Sequence, residues 1–288
     1  MLNELSVVIP TIGEKSLLET IKKLNYKKNQ IPSEIIISIY YLNFYKIQNK
    51  LNNYTNIKII KVNKKGQVNQ RVQGFINAKK KYVLQLDADC IISVKDILLL
   101  LNNLRKDKRN KAVAPILYDE KSTKPIYIYK DNFLNNFKNF ILGFKNGLNK
   151  MGTVSKSGTN MGVDPNFTNL NSLPVEWLAG GCIMHKKNNL IKKNFYHFLF
   201  KAYCEDLIHS FYLKKKKIDL EIVTKARCYT SFPIFPKIKK DLNNFLQAYT
   251  YFANLKKVNT VRIKMVKLIY LTRFILNNLL VYLNIKFK

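Results

Sequence analysis

Residues 82–90 read YVLQLDADC. Five strand-forming residues, Tyr82 to Leu86, carry a single interior polar group, Gln85, which is the composition of a strand buried on both faces. The strand leaves its buried run at Asp87, Ala88 and Asp89. Just upstream, Gly66 to Ala78 (GQVNQRVQGFINA) places Val68, Val72, Phe75 and Ile76 on one side of a helix. Further back, Leu5 to Pro10 (LSVVIP), Glu34 to Tyr40 (EIIISIY) and Ile57 to Val62 (IKIIKV) read as strands. Between the first two, Lys15 to Leu24 repeats Leu17, Leu18, Ile21 and Leu24 at helical spacing. Downstream come a helix over Val94 to Leu104 and a strand over Lys111 to Leu117 (KAVAPIL). Strands alternating with helices in this way predict an α/β fold, a mostly parallel sheet with helices on both faces. Ligands of such sheets lie off the carboxyl ends of the strands. That singles out Thr11 to Glu14, Asp87 to Asp89, and the loop after Leu117.

The second half is less regular. From about Tyr118 to Pro174 the alternation stops, and Gly143, Gly147, Gly152, Gly158 and Gly162 fall in this stretch. A long excursion inside a compact unit is characteristically either functional or disordered. Regular structure returns at Val175 to Met184, then a helix from Glu205 to Lys215, a strand over Ile218 to Val223, and helices from Asp241 onward.

The chain has 288 residues, 47% hydrophobic and 24% charged, which excludes a disordered, coiled-coil or collagen-like protein. Cys90, Cys182, Cys204 and Cys228 form no CxxC pair, so free thiols in a reducing compartment are expected. The formal net charge of +32 calls for an anionic partner: nucleic acid, a phosphorylated small molecule or a membrane surface. Only six of the 50 basic residues are arginine, and the abundance of lysine and asparagine follows A/T-rich codon usage. Nucleic-acid readers lean on arginine, so that class is disfavoured. The N-terminus has no signal-peptide pattern, which places the chain in the cytoplasm. No run of eighteen uncharged apolar residues occurs; the nearest, Leu268 to Ile285, carries Arg273 and three asparagines. After Glu221 the chain has thirteen basic residues and one acid, Asp241. From Val258 a basic amphipathic helical pattern reads as a membrane-surface element, or as a helix packed on the main domain with its basic residues solvated.

Four motifs carry chemistry. Asp87 and Asp89, at i and i+2 past a buried strand, are hard oxygen donors suited to Mg²⁺ or Mn²⁺ and through it to substrate phosphates; the alternative is a solvated turn. Arg71 would contact phosphate or fix the Asp87 loop, the alternative being a surface arginine; Gly74 in the same helix marks a close helix–sheet contact. In Glu176 to Cys182 (EWLAGGC), Gly180 and Gly181 would let backbone approach a ligand and Trp177 would stack on a sugar ring, unless Trp177 is core. In Tyr203 to Asp206 (YCED), the acids either act as a general base or simply answer the helix dipole. His209, one turn after Glu205, lacks further partners for a metal site.

In this order, SVVIPT, GQVNQRVQGFINA before LQLDADC, EWLAGGCIMHKK and YCEDLIHSFYLKKKK resemble the family 2 glycosyltransferases of the GT-A fold, over about Leu5 to Ser231. The rhamnosyltransferase-like members that build bacterial surface polysaccharides are similar in particular. The resemblance implies a GT-A catalytic domain over 1–235, with a nucleotide-sugar half (1–117) and an acceptor half (118–235), and a basic helical tail over 236–288. It implies that Asp89 holds the metal, that Asp87 contacts nucleotide or metal, and that Thr11, Glu14 and Arg71 belong to the donor side. Asp206 would deprotonate the acceptor hydroxyl, with Glu205, Trp177, Gly180 and Gly181 on the acceptor side. The implied donor is a UDP- or dTDP-sugar, the metal Mg²⁺ or Mn²⁺, and the acceptor a lipid-linked or lipopolysaccharide glycan. Transfer would invert the anomeric centre, and the enzyme would sit peripherally on an anionic membrane at its cytoplasmic face. Three departures accompany the resemblance. The second strand ends in Ser38-Ile39-Tyr40-Tyr41 where the family has an aspartate, Lys225 to Thr230 holds no histidine ligand, and the processive QxxRW motif is absent. Two competing readings are a basic nucleic-acid-binding protein and a catalytically inactive glycan-binding relative.

Overall fold

The computed structural model describes residues 2–26, 31–145, 147–231, 235–236 and 238–282. Its strands are β1 (Leu5–Thr11), β2 (Glu34–Tyr40), β3 (Ile57–Val62), β4 (Tyr82–Leu86), β5 (Ile91–Ile92), β6 (Lys111–Asp119), β7 (Ser172–Pro174), β8 (Cys182–Lys186) and β9 (Asp219–Thr230). The helices are α1 (Ser16–Leu24), α2 (Phe44–Leu51), α3 (Gln67–Asn77), α4 (Val94–Lys106), α5 (Phe133–Leu142), α6 (Glu205–Lys215), α7 (Lys239–Leu255) and α8 (Thr260–Tyr282). They surround one sheet in the order β3-β2-β1-β4-β8-β6-β9-β5, with β7 attached to β9.

The first four strands in that order are parallel. Strand β1 is buried throughout because both of its faces are covered. Val7 and Ile9 join Leu17 and Ile21 of α1 and Ile97, Leu100 and Leu101 of α4 in the largest core cluster. Val8 faces the other way, with Ile36, Val83 and Phe75 of α3. The period-two alternation of strand side chains therefore builds two cores from one apolar run. Gly74 marks the closest approach of α3: a Cβ there would lie 2.3 Å from Val8 Cγ1.

Beyond β4 the order differs from a simple parallel continuation. Strand β8 enters antiparallel between β4 and β6, so the loop leading into β8 arrives beside the end of β4. Strand β9 runs on to Thr230 rather than stopping near Val223. A register shift between Pro115 and Ile116 of β6 lets it resume pairing from Arg227. The excursion after Tyr118 contains α5, which the sequence reading passes over. Its start is capped by the Asn132 side chain and its end by left-handed Gly143 (φ 72°). Phe133, Leu134, Phe137 and Phe140 of α5 are exposed, so its apolar pattern marks an outer face instead of a buried one. Helix α2 is likewise additional.

The C-terminal stretch has two parts. Helix α7 buries Leu242, Ala248, Tyr249, Phe252 and Ala253, and Phe252 joins the core cluster of α6 and β6. Ile263 and Val266 of α8 pack with Leu142 and Tyr249. Past them Leu268, Leu271, Ile275, Leu276 and Leu279 are exposed. No helix among the described residues is long and apolar enough to cross a membrane.

Candidate active site

Asp87 follows the last residue of β4, and its backbone N–H donates to Gly181 O at 2.8 Å. The turn closes with Cys90 N–H on Asp87 O at 3.0 Å. Thr20 Oγ1 of α1 donates to Ala88 O (3.0 Å) and Cys90 O (3.2 Å), so the acidic turn is held from both sides. Asp89 faces solvent. Partial loss of solvent, and then the negative charge of Asp87, hold its carboxyl above the usual range.

Arg71 of α3 is 1% exposed and forks between two acids. Nη2 donates to Asp87 Oδ1 at 3.0 Å, and Nη1 donates to Glu205 Oε1. Burial opposes the arginine's charge, but Glu205 and Asp87 outweigh it and raise its pKa, so the guanidinium stays protonated. The surface-arginine alternative is excluded, and of the two functional readings the one in which Arg71 fixes the Asp87 loop has the contacts. A side chain so buried shows no face to a phosphate.

Glu205 opens α6, and burial lifts its carboxyl to about 7 against the pull of Arg71. Asp206, next to it, is half-buried. Its Oδ1 accepts the Leu207 N–H at 2.9 Å, and burial raises its carboxyl to about 6. That is the range in which a carboxylate is both ionised at neutral pH and basic enough to take a proton. A Cβ on Gly180 would lie 2.7 Å from Glu205 Oε2, so the glycine pair brings backbone against the site's own carboxylates. Gln85 Nε2 donates to Gly180 O, tying the same loop to β4.

At the end of β1, Thr11 Oγ1 donates to Glu14 Oε2 at 2.6 Å, and Ile12 N–H donates to the same oxygen at 3.0 Å. These bonds lock the Thr11 to Glu14 loop, and the charge of Glu14 reaches Asp89. Gln70, which the sequence reading overlooked, donates through Nε2 to Thr11 O (2.5 Å) and Ser38 O (2.9 Å), joining the ends of β1 and β2. Lys201 was also overlooked; its positive charge acts on Asp89. No motif marks either residue, since a glutamine in an amphipathic helix and a lysine in a lysine-rich chain carry no signal.

Thr11, Glu14, Arg71, Asp87, Asp89, Gly180, Gly181, Glu205 and Asp206 thus gather about the carboxyl ends of β1 and β4, at the middle of the sheet. Trp177 stands apart as a correction to the sugar-stacking expectation. It is 3% exposed, its Nε1–H donates to Met161 O at 2.9 Å, and Tyr127 meets it edge-on at 5.7 Å. The indole is core, with no open face for a sugar ring. His209 is buried too, stacked on Phe195 at 5.3 Å, while Glu205 turns to Arg71. Burial drives His185, beside it, down to about 3.

No group of three or more metal-ligating side chains forms among the described residues. The donor set nevertheless fits a hard divalent ion. Asp87 keeps Oδ2 beyond its Arg71 contact, Asp89 is open, and the two carboxylates repel each other. Mg²⁺ and Mn²⁺ sites of this kind use one or two carboxylates and complete the shell with water and phosphate oxygens. All four cysteines are free thiols, as expected.

No curated protein matches the chain. Among solved structures, that of GalNAc-T7 with UDP, GalNAc and Mn²⁺ aligns with a TM-score of 0.59 at 19% identity, covering 88% of this chain and 50% of that one. Two structures of S. aureus TarS align at 14% identity with TM-scores of 0.47 and 0.49, covering 87% and 88% of this chain and 39% and 65% of theirs. This chain spans about half the length of the GalNAc-T7 structure, and the likeness establishes the GT-A fold. Residues 6–160 match glycosyl transferase family 2, more than half of the chain, and with the sheet and the acidic turn after β4 in place the protein belongs to that family.

Proposed function

We propose that this protein transfers a sugar from a nucleotide-diphosphate sugar to a hydroxyl of a lipid-linked or lipopolysaccharide glycan, with inversion at the anomeric carbon. The observation that carries this reading is the Arg71 fork. It ties Asp87, read as a donor-side group, to Glu205, which with the adjacent Asp206 is read as acceptor-side. Residues 1–117 form the donor half and 118–235 the acceptor half. Asp87 and Asp89 would hold Mg²⁺ or Mn²⁺, which when bound offsets charge on the departing diphosphate. The UDP and Mn²⁺ in the GalNAc-T7 structure support a UDP-type donor and a divalent ion.

In this mechanism Asp206 accepts the proton of the acceptor hydroxyl. The acceptor oxygen forms the new bond to the anomeric carbon from the face opposite the diphosphate, whose C–O bond breaks with its electron pair. One displacement inverts the centre. Arg71 keeps Asp87 and Glu205 from moving apart, and Thr11 and Glu14 shape the loop facing the donor. The exposed apolar stripe and basic residues of α8 support peripheral attachment to an anionic membrane.

The test is Asp206→Asn. Transfer should fall roughly 10²–10⁴-fold, the usual range for a lost general base, while the affinity for UDP with Mn²⁺ is kept. In the wild type, kcat/KM should fall as pH drops through about 6, because the base is then protonated; the variant should lack that limb. Full activity in Asp206→Asn, with the loss found instead in Glu205→Gln, would reassign the base.

A further inference from the structure

The excursion after Tyr118 encloses a cavity of about 460 Å³, a usual volume for a small-molecule site, with Arg273 of α8 on its other side. Lys130, Lys138 and Lys150 line it together with that arginine. Among the described residues, none of the four cations has a carboxylate within ion-pair distance. Lys150 is 2% exposed. Its Nζ donates to Asn136 Oδ1 at 3.2 Å and lies 4.8 Å from the Tyr129 ring centroid. A buried ammonium beside three further cations is costly unless an anion answers it. Loss of solvent, and then the charges of Arg273 and Lys150, lower the pKa of Lys138. The acid in this wall, Asp164, is turned to backbone: its oxygens accept the Tyr129 N–H (2.8 Å) and the Asn166 N–H (3.0 Å).

The cations call for an anion, and the amides call for hydroxyls. Asn139, 6% exposed, lines the same cavity with Oδ1 unpartnered among the described residues. A buried carbonyl oxygen needs a donor, which a bare oxyanion lacks and a hydroxyl supplies. Asn135 and Asn160 bring two more amides to the wall. A ligand that answers both sets of groups combines negative charge with hydroxyls, which is the chemistry of an acidic sugar.

The cavity also backs onto the acceptor side. It shares Tyr127 and Gly162 with a smaller cavity that reaches Trp177 and Ala179. Gly162 makes room for the Tyr127 ring, since a Cβ there would lie 2.1 Å from Tyr127 Cγ. Burial, and then the charge of Asp206, raise the pKa of the Tyr127 phenol, so a ring that lines the cavity also senses the proposed base.

We infer that this cavity is a subsite for an acidic sugar of the acceptor, a unit bearing a carboxylate or phosphate beside free hydroxyls. The inference rests on the proposed glycan-transfer reading and adds to it a negative charge on the acceptor's own sugar units.

The probes are glucose 6-phosphate and glucuronic acid, titrated calorimetrically into Asp89→Ala protein in EDTA so that the donor site does not contribute. Glucose, inorganic phosphate and acetate form the parallel arms. Both acidic sugars should bind more tightly than glucose, which lacks the charge, and than the two small anions, which lack the hydroxyls. The tighter of the pair names the charged group. Lys138→Gln/Arg273→Gln, at two exposed positions, should weaken them about tenfold per cation removed. Lys150→Met should weaken them as well, and added salt should weaken the parent protein's binding. Unchanged affinity in the folded double variant overturns the inference. So does glucose binding as tightly as the acidic sugars, or inorganic phosphate binding as tightly as glucose 6-phosphate, which would leave an oxyanion site without a sugar. In transfer assays, saccharides ending in an acidic unit should have a lower KM than their neutral counterparts; equal KM would place the cavity outside the acceptor's path and overturn the inference too. Thermal stabilisation of the unmutated protein by UDP with Mn²⁺ reports separately on the transfer reading. If that arm fails while the titrations hold, the acidic-sugar site stands and the transfer reading falls.

Discussion

At the scale of single residues, Arg71 does the most. In the sequence it is one of six arginines in a helix with no other charge. In the structure it is the counter-charge for two carboxylates on different elements, Asp87 after β4 and Glu205 at the start of α6. Removing one partner of a buried ion pair is far more costly than never having had the pair, because the remaining charge is stranded. Arg71→Met should therefore destabilise the fold by roughly 3–5 kcal/mol, measured by urea unfolding at pH 8. The loss should shrink toward pH 5. Without Arg71, Glu205 keeps a raised pKa and takes up a proton on folding as pH falls, which relieves the stranded charge. A loss that is small and independent of pH would mean that Arg71 is not what holds the two acids together.

At the scale of elements, strand β8 and helix α3 set the site. Strand β8 runs antiparallel to β4, so its leading glycines arrive beside Asp87. Helix α3 must lie close enough to β1 for Gln70 and Arg71 to reach inward, and Gly74 permits that distance. On an open helix, Gly→Ala gains roughly 1 kcal/mol from helix propensity. Here the methyl would meet Val8 Cγ1 and Ser38 Oγ, so Gly74→Ala should instead destabilise by about 1–3 kcal/mol, the usual overpacking cost. It should also weaken donor binding through the displaced Gln70 and Arg71. A stabilised Gly74→Ala protein in a thermal melt would show that α3 has room to move.

For the whole molecule, the C-terminal region is part core and part surface. Ile263 and Val266 close the cluster around Leu142 and Tyr249, whereas Ile275, Leu276 and Leu279 lie outside it. A chain ending after Lys257 should lose several degrees in Tm or aggregate. Burial of each such side chain is worth about 1.5–3 kcal/mol, and the exposed Tyr249 and Leu142 would be left without cover. A chain ending after Phe274 should keep its melting temperature and sediment less with phosphatidylglycerol vesicles. Equal vesicle binding by the shortened chain would remove α8 from the membrane contact.

The sequence by itself determined the first half of this protein. Mostly apolar strands and one-sided helices leave few arrangements, and YVLQLDADC announces both a central strand and the acids at its end. Asp206 was singled out only by the family resemblance, since two acids opening a helix also answer its dipole. What the sequence left undecided depends on partners far apart in the chain. Whether Arg71 serves a phosphate or a neighbouring acid, and whether Trp177 is displayed or covered, rests on contacts with Glu205 and Met161 that no local pattern encodes. Helix α5 escaped notice for the opposite reason. Its large apolar residues face outward, so periodicity alone assigns it no place against a core. The division of the C-terminal region is tertiary for the same cause: one continuous helical pattern is buried only where Leu142 and Tyr249 meet it, and the rest stays at the surface.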